Sequence, residues 1–119
     1  MSETIRVVSV VGRFLEHARI YHFGNNGRGE YYLGSADAMH RNLERRVEIL
    51  VPIEEARQQA ELRALIEMQL AEHPGAWLMQ SDGSYQRTDS ALPHAQVRST
   101  ERAEQRLKEA TRAKRKIQT

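Results

Sequence analysis

Short runs of β-branched and aromatic residues, separated by glycine, asparagine or proline, dominate the first half of the chain. Runs of this length and composition predict β-strands. We expect strands at residues 5–11, 18–23, 30–33 and 46–51. Only the glycine- and asparagine-rich residues 24–29 separate the second strand from the third, so these two strands are expected to pair across that turn.

A helical period follows in residues 54–72, where Leu62, Leu65, Ile66 and Leu70 recur at helical spacing. This spacing places the four side chains on one face of a helix. The proline and the glycine that come next are typical of a helix end. The sequence therefore predicts one well-formed amphipathic helix in the middle of the chain.

Beyond this helix, residues 76–79 and 85–87 are expected to form a hairpin, followed by a loop at residues 88–93. Residues 34–43, between the third and fourth strands, are expected to be irregular or partly helical. Residues 101–116 contain strong helix formers but only a thin apolar stripe. Such a pattern predicts a helix that is exposed, frayed or packed against a partner.

These elements predict an α/β fold with a small mixed sheet, flanking helices and a C-terminal helical extension. The 119 residues fit one domain, which we expect to span residues 1–97, followed by a basic helical or disordered tail at residues 98–119. The tail holds 8 of the 18 lysine and arginine residues but only 3 of the 16 acidic ones. This charge makes nucleic acid a candidate partner of the tail.

The composition excludes several classes of site. The chain has no cysteine, which removes disulfides, thiolate nucleophiles and cysteine metal sites. No apolar run approaches the roughly 20 residues that a membrane span needs. The first residues do not combine a basic segment with an apolar one, as a secretory signal would. We therefore expect a soluble cytoplasmic protein.

A concentration of groups suited to phosphate lies between the first strand and the fourth. His17 and Arg19 are two positions apart, and residues two apart in a strand point to the same side. If the second strand begins at His17, the two side chains lie next to each other. A histidine acts as a nucleophile or proton donor near neutral pH, and arginine offers two parallel donors to phosphate oxygens. Arg13 adds a further cation just upstream.

The following turn carries more such groups. Ser35 and the backbone amides around Gly34 are candidates for a small anion-binding nest, and Arg41 and Asn42 follow on a turn. Together these groups suit phosphoryl transfer by positioning and charge stabilisation. An ordinary surface histidine and a solvated arginine-rich surface remain the alternative interpretation.

Two longer strings give these groups a context. Residues 9–21, which read SVVGRFLEHARIY, and residues 34–48 closely resemble the C-terminal catalytic domain of bacterial polyphosphate kinase. Residues 76–87 and the pair Ala95-Gln96 are similar to the closing segment of that family. The resemblance covers roughly residues 5–96.

The resemblance implies a phospholipase D-like architecture and a role for each matched position. His17 and Arg19 match the family's His-x-Lys pair, with arginine in place of lysine. The string from Gly34 to Asp37 matches its Gly-Ser-x-Asn turn, with aspartate in place of asparagine. By this resemblance His17 is the second active-site histidine, which donates a proton or a charged hydrogen bond to the transferring phosphate. Arg13, Asp37, Arg41 and Asn42 are expected to help bind phosphate.

The family reaction moves the terminal phosphate between ATP and polyphosphate, with magnesium and a phosphohistidine intermediate. The resemblance thus implies ATP or ADP, magnesium and polyphosphate as ligands, although no metal ligands are identified in this chain. Because the chain matches only the last part of the family enzyme, we expect a partial domain that is inactive alone. Its expected partners are the remaining kinase domains or a second copy of the chain.

Two other functions remain open. One is a polyanion-binding domain without chemistry, which would contact polyphosphate or nucleic acid through the basic residues 108–116. The other is a phospholipase D-like phosphodiesterase, whose two histidine half-sites would come from the two copies of a dimer.

Overall fold

The computed structural model describes residues 4–17, 19–35 and 39–117, and the side chains of residues 41–43 and 115–117 lie outside the description. The chain divides into two compact units. Unit 1 comprises Met1–Phe14 and Glu67–Thr119, and unit 2 comprises Leu15–Ile66.

The strands in the described ranges are β1 (Val8–Val10), β2 (Ile20–Phe23), β3 (Glu30–Gly34), β4 (Leu50–Ile53), β5 (Ala76–Met79) and β6 (Tyr85–Arg87). The α-helices are α1 (His40–Arg45), α2 (Ala56–Leu70) and α3 (Ala95–Ile117). The strands form two antiparallel three-stranded sheets, with the order β1-β5-β6 in unit 1 and β2-β3-β4 in unit 2.

The α/β class is confirmed, and the sheet arrangement needs a correction. The expected single mixed sheet is instead two separate antiparallel sheets. Turn residues correctly predict the two local pairs, β2 with β3 and β5 with β6. Strand β1 pairs with β5, far along the chain, so that Ser9 lies opposite Trp77. Residue patterns identify strands but not distant partners, which is why this pairing was not predicted.

The element ends also differ from the predicted ones. Strand β4 begins at Leu50 and continues through Pro52, where the sequence predicted its end. Pro52 is tolerated because β4 is an edge strand of its sheet and needs no outward amide donor. Helix α3 begins at Ala95, ahead of the predicted tail, and residues 101–114 are all exposed. The boundary between a domain at residues 1–97 and a tail stays a prediction.

The β2–β3 turn in unit 2 is held by its own side chains. Asn25 and Asn26 both have positive φ, at 35° and 52°, which asparagine accepts more readily than most residues. The Asn25 amide donates to Glu30 at 2.6 Å, and the Tyr32 hydroxyl donates to the same carboxylate at 2.9 Å. This hydrogen bond to a carboxylate raises the pKa of Tyr32. These side-chain hydrogen bonds stabilise the turn between β2 and β3.

Helix α2 is fixed to the sheet of unit 2 by two polar contacts beside its apolar face. The Gln59 amide donates to the Ile53 carbonyl at 2.8 Å, and Arg63 Nε donates to the Tyr31 hydroxyl at 3.0 Å. Tyr31 and Leu62 are both buried. The Tyr31 ring stacks on His22 with 4.3 Å between ring centroids. These contacts hold β3 and β4 in place beneath the helix.

His73 lies at the centre of unit 1, where the sequence suggested only the end of a helix. The side chain is fully buried, and its Nδ1 accepts a hydrogen bond from the Gly75 amide at 3.2 Å. Its Nε2 has no hydrogen-bond partner among the described residues. Thr88 donates to the His73 and Ala76 carbonyls, at 2.8 and 3.1 Å. The His94 ring lies 4.9 Å away between centroids. A buried histidine therefore joins β5, β6 and the start of α3.

Gly75 has no room for a side chain. A Cβ atom at this position would overlap Nε2 of His94 and lie 2.6 Å from the Val11 carbonyl oxygen. We therefore expect Gly75→Ala to destabilise unit 1 by about 1–3 kcal/mol, the usual cost of overpacking. The urea midpoint of Trp77 fluorescence checks this. Gly24→Ala is the matched control, because its φ of −67° is ordinary and no atom lies within 4 Å of the added Cβ. Equal midpoints for the two variants would contradict the prediction.

The buried histidine makes unit 1 sensitive to acid. Burial, with the nearby charges of His94 and Arg98, lowers the pKa of His73 below its ordinary value of 6.5. The unfolded chain then binds a proton at a higher pH than the folded chain, so stability falls as the pH drops below about 6.5. Hydrogen bonds from Ser84 also lower the pKa of Asp82, from 3.8, but this affects stability only at more acidic pH.

Unfolding by urea at pH 7.5 and 5.5 checks the acid effect. We expect the wild type to lose stability between these values and His73→Asn, which keeps an acceptor near the Gly75 amide, to lose less. His40→Gln changes an exposed histidine that contacts Glu44 at 3.1 Å and should keep the wild-type pH dependence. A wild-type midpoint that is the same at both pH values would refute this prediction.

Candidate functional site

Antiparallel pairing brings three chain segments of unit 2 to one end of its sheet. There the start of β2 lies beside the end of β3, and the end of β3 lies beside the start of β4. The Gly34 amide donates to the Arg19 carbonyl at 3.0 Å, and the Ser35 amide donates to the Ile49 carbonyl at 3.1 Å. We call this group, with Glu48, the sheet end.

Gly34 allows the backbones to approach closely at the sheet end. A Cβ atom there would lie 2.9 Å from Cδ2 of Leu50 and 3.1 Å from the Ile49 carbonyl oxygen. The second contact is with backbone, which cannot move aside as a side-chain tip can. The glycine of the Gly-Ser turn is therefore required by packing within the sheet.

The hydroxyl and the backbone amide of Ser35 both have hydrogen-bond partners within the chain. Its hydroxyl donates a short hydrogen bond to the Glu48 carboxylate and accepts one from the Ile49 amide at 3.2 Å. The amides of Gly34 and Ser35 are also used, as described above. The predicted anion nest is therefore not open, because an anion would have to displace these partners. The role of Ser35 in binding phosphate stays a prediction.

His17 and Arg19 precede β2, which begins at Ile20. The condition that would place their side chains next to each other, a strand beginning at His17, is not met. The register of β2 with β3 ends at the pair of Ile20 with Leu33. Arg19 is half-buried, with its carbonyl fixed by Gly34. The His17 side chain is exposed and makes no hydrogen bond with any residue in the described ranges.

The other predicted site residues are less closely grouped. Arg41 and Asn42 lie in α1, and their side chains are not described, whereas Asp37 lies outside the described residues. Arg13 belongs to unit 1, where its side chain is exposed and its amide donates to Gln96. Within unit 2 the structure thus brings together the backbones of Arg19 and Ser35.

The structure shows hydrogen bonds of two side chains, Glu48 and Gln96, that residue patterns alone did not single out. Glu48 accepts a hydrogen bond from the Ser35 hydroxyl and places a negative charge at the sheet end. Gln96 contacts the segment that carries Arg13. Only the family resemblance at residues 34–48 and 95–96 pointed to these positions.

Among the described residues, no group of three or more histidine, cysteine, aspartate or glutamate side chains is arranged to hold a metal ion. None of the helices in the described ranges is long and apolar enough to cross a membrane. The charged side chains at the sheet end are those of Arg19 and Glu48, and His17 precedes Arg19 by two residues with its imidazole exposed.

Sequence comparisons with a family model and with individual proteins point to the same family. The sequence model described as Polyphosphate kinase C-terminal domain 2 matches residues 1–100. The polyphosphate kinase of Thermosynechococcus vestitus is 51% identical over 96 residues, which are 81% of this chain and 13% of that protein. The polyphosphate kinase of Dictyostelium discoideum is 47% identical over 92 residues, which are 77% of this chain and 9% of that protein.

A solved structure matches as well. The crystal structure of polyphosphate kinase from Porphyromonas gingivalis has a TM-score of 0.79 and 30% sequence identity. The match covers 87% of this chain and 16% of that one. This chain therefore spans only a small part of the length of the relatives it matches.

Proposed function

This chain belongs to the polyphosphate kinase family, and we propose that it contributes a phosphate-binding half-site to reversible phosphoryl transfer between ATP and polyphosphate. The proposal is supported by the hydrogen bond from the Gly34 amide to the Arg19 carbonyl, at 3.0 Å. This bond fixes a permanently charged residue beside the Gly-Ser turn. His17, two residues earlier, is exposed and accessible to a ligand.

In the proposed mechanism Arg19 binds and orients. Its guanidinium offers two parallel donors to the oxygens of a phosphoryl group and balances their charge. The protonated imidazole of His17 donates a hydrogen bond to an oxygen of the same group. Both contacts strengthen as negative charge develops on the transferring phosphate, which is how such groups accelerate the reaction.

Magnesium is implied by the family, but the described residues do not fit a site for it. They include no three-residue ligand group, and the carboxylate at the sheet end, Glu48, already accepts a hydrogen bond from Ser35. No step of the proposed mechanism therefore runs through a metal held by these residues.

The isolated chain is proposed to lack kinase activity. It covers 13% of the Thermosynechococcus vestitus enzyme, so the remaining kinase domains, or a second copy of the chain, would supply the rest of the site. Nucleotide and polyphosphate are the proposed ligands of that complete site.

A second candidate is polyanion binding without chemistry. It is supported by residues 101–114 of α3, which are all exposed and carry five arginine and lysine side chains against three glutamates. Binding of this kind would weaken steeply with salt, because it depends on charge alone.

Hydrolysis of a model phosphodiester by a dimer would instead support the phosphodiesterase alternative.

The two candidates differ in how binding depends on His17. We expect His17→Ala to weaken the binding of long-chain polyphosphate at pH 6 about tenfold, through loss of a charge-assisted hydrogen bond. Titrations measure the effect in 50 and 200 mM salt, two buffer conditions chosen because the Debye length differs roughly twofold between them. Lys108→Ala with Lys114→Ala is the matched control. If the control loses affinity and His17→Ala does not, α3 is the contact and the half-site proposal fails.

Glu48 should oppose phosphate binding at the sheet end. Glu48→Gln keeps an acceptor for the Ser35 hydroxyl but removes the negative charge, so we expect polyphosphate to bind several-fold more tightly. Glu44→Gln changes the total charge equally, at an exposed position that contacts His40. The same titration compares the two variants. Equal gains for both would show only an effect of net charge and would argue against a site at the sheet end.

A further inference from the structure

The Gln96 side chain forms hydrogen bonds with the backbone of the segment that directly follows β1. Its Oε1 accepts hydrogen bonds from the Arg13 and Phe14 amides, at 3.0 and 3.3 Å. Its Nε2 donates to the Phe14 carbonyl at 2.6 Å. One amide group thus uses both its acceptor and its donor on two consecutive residues.

His94 holds the same segment one step upstream. Its Nε2 donates to the Val11 carbonyl at 2.9 Å, since its Nδ1 is occupied as the acceptor of the Gln96 amide at 3.1 Å. The Val11 amide in turn donates to the Gly75 carbonyl at 2.8 Å. The backbone of Val11 is therefore held by Gly75 and His94, and the backbone that follows it is held by Gln96.

Gly12 makes this close contact feasible. A Cβ atom at Gly12 would overlap the carboxamide of Gln96, so the side-chain amide lies directly on a backbone that has no side chain at that position. The glycine, the histidine and the glutamine form one fitted unit, which we call the Gln96 clamp (Gly12, His94 and Gln96).

The clamp fixes the backbone of Arg13 but leaves its side chain free. The guanidinium of Arg13 is exposed and has neither an ion pair nor a hydrogen bond with the residues that the structure describes. Arg13, Phe14 and the clamp border a groove of about 520 Å³. Because the backbone of Arg13 is already held by hydrogen bonds, anion binding through the guanidinium would order only the side chain, which lowers the entropy lost.

We propose that Gln96, supported by His94, is a positioning residue that presents Arg13 to a phosphate group. This inference rests on the proposed function, because it assumes that the chain binds polyphosphate. It places the start of α3 in the binding machinery of unit 1, where the sequence offered only the resemblance of the Ala95-Gln96 pair to the closing segment of the family.

Gln96→Met tests the clamp itself, because methionine keeps the length of the side chain but makes none of its three hydrogen bonds. In native-state amide exchange followed by NMR, we expect the Arg13 and Phe14 amides to exchange at least about tenfold faster. Gln105→Met is the matched control, since Gln105 is an exposed glutamine of α3 whose side-chain amide donates to Glu109 at 3.1 Å. Gly12→Ala should give the same acceleration without changing Gln96. Unchanged Trp77 fluorescence shows that each variant is folded.

A double-mutant cycle on polyphosphate binding tests positioning. If Gln96 acts through Arg13, Gln96→Met weakens binding several-fold in the wild-type chain but has no effect in an Arg13→Ala background. A merely structural role would give the same loss in both backgrounds and would overturn the inference, as would unchanged amide exchange. If the wild-type chain does not bind polyphosphate at all, the proposed function fails and the positioning role fails with it. Binding with an additive cycle would refute the positioning role alone.

Discussion

The pairing of β2 with β3 is the constraint on which the candidate site depends. Because the two strands are antiparallel, the end of β3 returns to the start of β2, and Gly34 binds the carbonyl of Arg19. The next pairing, of β3 with β4, brings Glu48 and Ile49 to the same place through Ser35. Residues far apart in the sequence thus meet because hydrogen-bonded strands leave few other arrangements.

Unit 1 depends on a different kind of constraint, close packing against glycine. Gly12 and Gly75 lie where a Cβ atom would overlap Gln96 and His94. The positions of β1 and of the start of α3 are therefore coupled through small residues and side-chain hydrogen bonds. The buried His73 adds a polar ring with one hydrogen-bond partner among the described residues, so this unit combines tight packing with sensitivity to acid.

Local features were predictable because local chemistry determines them. The hairpin of β5 and β6 follows from the turn around Gly83, with its positive φ of 85°, and helix α2 follows from the spacing of Leu62 and Leu65. The pairing of β1 with β5 depends on contacts between distant residues, which no residue pattern contains. The burial of His73 was hidden for the same reason. For Ser35 the sequence offered suitable atoms, but their existing partners were visible only in the folded chain.

The family resemblance identified the candidate site residues, and the structure shows which of them lie close together. Arg19 and Ser35 meet in unit 2, while Arg13 is held by Gln96 in unit 1. The most direct measurement is polyphosphate synthesis by a Thermosynechococcus vestitus polyphosphate kinase whose matching segment is replaced by this chain, with and without His17→Ala. The account predicts activity that falls at least about a hundredfold in the variant while its fold is retained, as expected for loss of a group that acts in the transition state. Equal activity of the two proteins would contradict the assignment of His17.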